Sequence, residues 1–194
     1  RRVLFRSRVR VFDDFSTGEL ANLAAVKDRI DIMEGDLRDM AAVRRAVAGV
    51  THISHQAALR SVPRSVDDPL STDAVNTHGT LQLLVAAREA KTVRRLVYAS
   101  SSSAYGDSPA LPKVEDQAAA PISPYAVAKL AAEHYCRTFS RLYGLETVSL
   151  RYFNVFGPKQ SPESKYAAVV PLFMRAALQG EPIIIHGDGE QSRD

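Results

Sequence analysis

Cysteine is almost missing from the chain: Cys136 stands alone among 194 residues. That excludes a disulfide framework and a thiol cluster for a metal, and it suits a reducing compartment. Long apolar runs are missing too. None approaches the roughly 20 residues that a membrane-spanning helix needs, and no charged stretch leads into an apolar one as in a secretory signal. The expectation is a cytoplasmic protein without membrane contact. Internal repeats and low-complexity segments are absent. His52 and His55 are three apart on a presumed strand and face opposite sides, so they cannot share a metal ion, and no metal site is expected.

The excess of positive charge is confined to one end. The formal charge is +3 and the pI about 9.1. Arg1, Arg2, Val3, Leu4, Phe5, Arg6 and Ser7, however, translate without mismatch from AGACGTGTGCTCTTCCGATCT, a common sequencing-adaptor segment. Residues 1–7 are therefore read as an artefact outside the fold. They carry three arginines and no acid, so the remainder is neutral, and no nucleic-acid partner is expected.

What is there is an alternation of short β-branched runs with longer alanine-rich stretches, the pattern of parallel strands joined by crossover helices. Strands are expected at Val9 to Phe12, Ile30 to Met33, Thr51 to His55, Leu96 to Ala99 and Thr147 to Leu150, with helical patterns in the gaps. The clearest helices run from Pro69 to Ala90 and from Pro124 to Tyr143. Each opens with a polar cap before proline, Asp68 and Ser123, and the second should end at Gly144. The proline-rich stretch from Pro109 to Pro124 reads as a long ordered loop, of the kind that carries function.

The expected fold class is α/β, a doubly wound parallel sheet of the Rossmann type. Such a fold begins with a strand and a glycine-rich phosphate turn, and its ribose-binding acid follows about 20 residues later. The best acid here is Asp13. The first strand and its phosphate loop are therefore expected to be missing, and this chain alone is expected to fold poorly and not to hold NAD.

Tyr125 and Lys129 stand four apart at the start of a helix, so they lie on one face and can touch one ligand. A tyrosine that serves as a base at neutral pH needs its pKa lowered by about three units, or about 4 kcal/mol. A nearby ammonium and the positive end of the helix both favour phenolate. Tyr and Lys at this spacing also occur on ordinary exposed helices. The difference lies upstream, where the strand ending at Ala99 feeds into Ser100, Ser101, Ser102 and Ser103 at the carboxyl end of the sheet, where ligands bind.

Several stretches then carry a resemblance. They are Asp13-Asp14-Phe15-Ser16-Thr17-Gly18, Glu34-Gly35-Asp36-Leu37-Arg38-Asp39, His55-Gln56-Ala57-Ala58, Ser101 to Gly106, Ser123-Pro124-Tyr125 with Lys129, Arg151 to Gly157, and Gly187-Asp188-Gly189 with Arg193-Asp194. From Arg8 onward the sequence resembles the extended short-chain dehydrogenase/reductase family, and within it the UDP-hexose and UDP-N-acetylhexosamine 4-epimerases. The resemblance implies a partial NAD-binding domain over residues 8–160, the start of a nucleotide-sugar-binding region over 161–194, and a homodimer for the full-length protein.

It also implies roles. Tyr125 is the catalytic base, Lys129 holds the nicotinamide ribose and tunes Tyr125, and Ser101 bonds the reacting oxygen. Proton loss from the sugar O4, with hydride leaving C4 for NAD, gives a 4-keto sugar that turns over and is reduced on its other face. For the cofactor, Asp13 and Asp14 meet the adenine ribose, and the charge of Asp13 favours NAD over NADP. Asp36 and Leu37 border adenine, Asp36 also reading as a helix N-cap. Gln56, Ala57 and Ala58 form a small-residue turn beside the cofactor, Asn76 lies near the active site, and Tyr152 faces nicotinamide. For the UDP-sugar the implied contacts are Arg60, Ser61, Ser102, Ser103, Asn154, Tyr166, Val169 and Arg193. The 4,6-dehydratases carry Asp and Glu after the hydroxyl residue and the UDP-glucuronate decarboxylases a glutamate at the position of Ser103. Serine at both places here favours simple epimerisation and leaves room for an N-acetylated sugar.

Overall fold

The computed structural model describes residues 7–160, 169–185 and 187–190. Five strands, β1 (Val9–Asp13), β2 (Ile30–Glu34), β3 (His52–His55), β4 (Arg95–Ser101) and β5 (Glu146–Tyr152), fall where the β-branched runs predict them. All pairings are parallel. They make two sheets, β1–β2 and β3–β4–β5. A groove of about 380 Å3 runs between β1 and β3, lined by Val9 to Asp13 on one side and His52 to Gln56 on the other. The gap falls where the expected missing strand would lie.

The helices are α1 (Met40–Val47), α2 (Val62–Asp67), α3 (Pro69–Asp73), α4 (Thr80–Ala90), α5 (Pro124–Tyr143) and α6 (Val169–Gln179). α5 has the predicted bounds: the Ser123 side chain accepts from Ala126 N, and Gly144 closes the helix at φ 69°, a conformation that costs glycine nothing. The predicted helix over 69–90 is continuous but not uniform. Between α3 and α4 a π-helical turn spans Ala74–Gly79, and such turns often sit at functional sites. The crossover between β1 and β2, expected to be helical, holds only two 3₁₀ turns, Leu20–Leu23 and Lys27–Arg29.

One core joins α1, α4 and α5 to the face of β4 that carries Leu96 and Tyr98, with Val43, Leu84 and Ala132 fully buried. Among the described residues the packed helices cover this face only, whereas a doubly wound sheet has helices on both. The other face of β5 carries Val148 and Leu150, exposed at 42% and 39%. The face of β5 toward α5 is polar, with Thr147 Oγ1 donating to Cys136 O and Arg151 bonded to Glu133, so the apolar side chains of this strand stand on the face that the described helices leave open.

His55 and His52 do face opposite ways, His55 being buried and His52 exposed. Thr80 Oγ1 donates to Asn76 O at 2.6 Å, so its oxygen accepts from His55 Nε2–H at 2.8 Å. Burial, and secondarily the charge of Lys129, pulls the His55 pKa down to about 3. Ring-nitrogen NMR is expected to show the same neutral Nε2–H tautomer at pH 5 and pH 8; an imidazolium at pH 5 would refute the assignment.

Candidate active site

β4 delivers Ser101, 9% exposed, to the carboxyl end of the sheet. Its Oγ accepts from Ser103 N at 3.2 Å and lies 2.8 Å from Ser103 Oγ, capping the 3₁₀ turn Ser102–Tyr105. Gly106 follows at φ 64°, and a Cβ there would run into Ala120 O. The loop from Asp107 thus folds back closely, with Ala120 N donating to Ala104 O at 3.0 Å.

Tyr125 opens α5 opposite Ser101. Its amide, one of the unpaired N–H groups of a helix start, donates to Ser65 Oγ at 3.0 Å, and Ser65 is fully buried. Lys129, one turn on, is 3% exposed. Its Nζ donates to Ala99 O at 2.8 Å and stands 5.8 Å from the centre of the Tyr125 ring. Burial pulls the Lys129 pKa down to about 8.

The electrostatics of Tyr125 differ from the expectation. Burial raises its pKa, outweighing the Ser101 hydrogen bond and the charge of Arg60, both of which lower it. The cation acting on the phenol here is Arg60, while the Lys129 ammonium is turned onto the strand carbonyl. The site therefore holds the phenol, the form that gives a proton to a carbonyl oxygen.

The expected cofactor residues converge. Asp13, Asp14, Asp36, Leu37, Gln56, Ala57 and Ala58 line one cleft of about 290 Å3, and Arg60, expected on the substrate side, lines it too. Asp13 Oδ1 accepts from Phe15 N at 2.8 Å, which fixes its carboxylate at the end of β1. Carboxylates at the rim and alanines without bulk along the wall suit an uncharged ribose and its hydroxyl donors, so the residues present fit the adenosine half of NAD. Two members act indirectly. The Asp36 carboxylate is taken by Arg38, whose Nη2 and backbone N donate at 2.5 and 2.7 Å, and this lowers its pKa. It is not the helix cap: Asp39 caps α1, accepting from Ala41 N and Ala42 N. Asn76, buried in the π turn, donates to Leu59 O at 2.9 Å and accepts from Leu59 N at 2.8 Å. Its amide thus holds the backbone of Leu59, which lines the cleft.

Ser102, Ser103 and Asn154 share a second cleft of about 420 Å3 with Asp107, Ser108 and Phe153. Ser61 caps α2 through Arg64 N at 3.3 Å and holds φ 101°, a strained conformation of the kind kept at ligand sites. Tyr152 lines neither cleft; it borders a cavity of about 680 Å3 along β5 with Arg151 and Phe153. Val169 starts α6, exposed and outside both clefts. Tyr166 and Arg193 lie outside the described residues. Among the described residues no group of three or more His, Cys, Asp or Glu is placed to hold a metal ion.

Ser65, Ser100, Glu133 and the Arg151 side chain belong to no expected site, yet each bonds to a residue that frames this one. Glu133 accepts from Ser100 Oγ and from Arg151 Nε and Nη2, the latter two at 3.0 and 2.9 Å. A signal was present: Glu133 extends the four-residue spacing of Tyr125 and Lys129 by one more turn.

A parallel α/β sheet with a hydroxyl, a tyrosine and a buried lysine at its carboxyl end, beside a cleft that suits the adenosine half of a dinucleotide, defines a short-chain dehydrogenase-like protein. Residues 5–194 match the NAD dependent epimerase/dehydratase family, and the chain belongs to it. The UDP-glucose 4-epimerase of Mycolicibacterium smegmatis is 40% identical over 190 residues, covering 94% of this chain and 59% of that one. Among solved structures, a UDP-N-acetylglucosamine 4-epimerase from Methanobrevibacter ruminantium M1, in complex with UDP-N-acetylmuramic acid, superposes at TM-score 0.91 and 41% identity, covering 96% of this chain and 60% of that one. The Thermus thermophilus UDP-glucose 4-epimerase in complex with NAD superposes at 0.83 and 40% identity, covering 94% and 58%. A decarboxylase and a 4,6-dehydratase of sugar nucleotides also match, at 30% and 33% identity. The chain spans about three fifths of the length of these epimerases.

Proposed function

We propose that the enzyme containing this chain is an NAD-dependent nucleotide-sugar 4-epimerase acting on a UDP-hexose or UDP-N-acetylhexosamine. The observation that carries this reading is Ser101 beside Tyr125, with Lys129 one helical turn on and 5.8 Å from the Tyr125 ring centre, and serine at both positions after Ser101. Loss of water or carbon dioxide needs an acid or base beyond the one that serves C4. Ser102 and Ser103 supply hydroxyls instead, and Asp107, the one carboxylate along their cleft among the described residues, is exposed on the loop beyond Gly106.

NAD, when bound, supplies hydride acceptance and return. Tyr125 exchanges the proton of the sugar O4, with Ser101 holding that oxygen, and Lys129 bonds the nicotinamide ribose. Asp13 and Asp14 hold the adenine ribose, Arg60 and Asn154 the sugar and its phosphates. The small residues Ser102 and Ser103 leave space for an N-acetyl group. Residues 8–160 form the catalytic NAD-binding part, and 161–194 open the UDP-sugar region. Val127, Tyr135 and Leu142, exposed on α5 at intervals of seven or eight, offer a face for the expected homodimer.

The deciding experiment incubates the full-length protein with UDP-glucose, UDP-N-acetylglucosamine and UDP-glucuronate and identifies products by NMR. The 4-epimers are expected. A 4-keto-6-deoxy sugar or released carbon dioxide as the main product would overturn the reading, and turnover of UDP-glucose but not UDP-N-acetylglucosamine would overturn the finer one. Asp13→Asn is expected to weaken NAD binding about tenfold to a hundredfold, the loss of a charged hydrogen bond to ribose. Calorimetry showing unchanged affinity would remove Asp13 from the site.

A further inference from the structure

α5 meets the sheet through small side chains. Its buried residues are Ala126, Ala128, Ala132 and Cys136, with Phe139 at the far end and Lys129 and Glu133 between them. Such a face has few ridges to interlock with neighbours, so packing alone sets the slide and rotation of the helix weakly. Yet its first turn carries Tyr125, whose hydroxyl must meet an oxygen held by Ser101.

Three consecutive β4 residues answer this. Ala99 O accepts from Lys129 Nζ at 2.8 Å, Ser100 Oγ donates to Glu133, and Ser101 acts on Tyr125. Glu133 is the best anchored of the three helix residues. It is 5% exposed and receives the Arg151 fork from β5, where Arg151 is paired in register with Ser100. The guanidinium carbon lies 4.6 Å from the centre of the Tyr105 ring, and that ring stacks on Phe153 at 6.4 Å. One carboxylate thus joins the catalytic helix, two strands and the turn after Ser101. A buried ion pair is poor at adding stability over apolar residues of the same volume, and its best-attested use is to fix register.

We propose that Glu133, clamped by Arg151 and Ser100, is a positioning residue: it sets the register of α5 against β4 and so the approach of Tyr125 to Ser101. This rests on the reading of Tyr125 and Ser101 as the reacting pair. Glu133→Gln keeps the shape and the acceptor for Ser100 but removes the charged clamp. In the full-length enzyme with NAD, kcat is expected to fall about tenfold or more, since an error of about 1 Å at a reacting group can cost a hundredfold. KM should stay within about twofold, because the sugar contacts are untouched.

A second readout needs no turnover. The ¹³Cζ resonance of Tyr125 should move in Glu133→Gln at least halfway toward its position in Ser101→Ala, reporting loss of the Ser101 contact. Glu133→Gln/Arg151→Gln, which restores a neutral hydrogen-bonded pair, should return part of the shift and part of kcat. A Tyr125 resonance unchanged in Glu133→Gln overturns the proposal, whatever happens to stability. Should that variant fail to fold, Ser100→Ala, which removes one bond and leaves the ion pair, decides by the same resonance. Absence of epimerase activity in the parent protein would defeat the functional reading alone, because the resonance still tests the clamp.

Discussion

Tyr125→Phe is expected to lower kcat by about a hundredfold to ten-thousandfold, the usual worth of a positioned acid–base group, with KM and bound NAD little changed. The ring stays and only the hydroxyl goes. Burial already disfavours the phenolate of Tyr125, so phenylalanine fits at no cost in desolvation, and the melting temperature should hold or rise. On the proposed reading the reaction uses both forms of the group, phenolate to take the O4 proton and phenol to return it. Since burial raises the pKa, the phenolate fraction grows with pH over the whole neutral range, and kcat limited by proton removal should rise with it. Arg60→Ala, which deletes the charge pulling the other way, should push that rise to higher pH. Steady-state kinetics from pH 6 to 9 test both statements; Tyr125→Phe within tenfold of the parent would take the proton away from this residue.

The parts of this site that the sequence displayed are those governed by local rules. α5 could be bounded to the residue because Ser123, Pro124 and Gly144 each meet a backbone requirement of a helix end. The strands could be found because short β-branched runs pack well on a pleated surface and stand out between alanine-rich stretches. The cofactor cleft, apart from Asp13, was legible only through the family resemblance, and the fold gathers Asp13, Asp36, Gln56 and Ala57 into one wall. What stayed hidden is which partner each polar side chain takes, near or distant in the chain. Asp36 takes Arg38, two residues on, and Asn76 the Leu59 backbone, 17 residues away, so each carries a structural bond that a cofactor role does not announce. Spacing puts Lys129 beside Tyr125 but does not say that Ala99 O takes its ammonium. The π turn at Ala74–Gly79 has no periodic signature either, as one extra residue in a helical turn leaves the apolar spacing on each side intact.

Lys129 sets function against stability. Its pKa falls from 10.5 to about 8 on burial, a penalty on the charged form of about 3 kcal/mol at 1.36 kcal/mol per unit. The sign follows from proton counting. Between pH 8 and 10.5 the unfolded chain binds the proton more fully than the folded one, so stability gains with rising pH; below pH 8 both states are charged and the fold bears the whole penalty. Lys129→Met removes that penalty and also the bond to Ala99 O, whose loss returns about 1 to 2 kcal/mol. At pH 7 the variant is therefore expected to be more stable by about 1 to 2 kcal/mol, with the advantage shrinking above pH 8 and gone near pH 10. Its kcat should fall by about a hundredfold, as for loss of an oriented catalytic group. Urea unfolding of both proteins at pH 7, 8.5 and 10 measures the first effect. A variant less stable than the parent at pH 7 would mean that the ammonium is well solvated and the buried site misjudged. The predicted outcome would mean that the fold keeps a charge it would be more stable without, as the proposed role of Lys129 beside Tyr125 and the nicotinamide ribose requires.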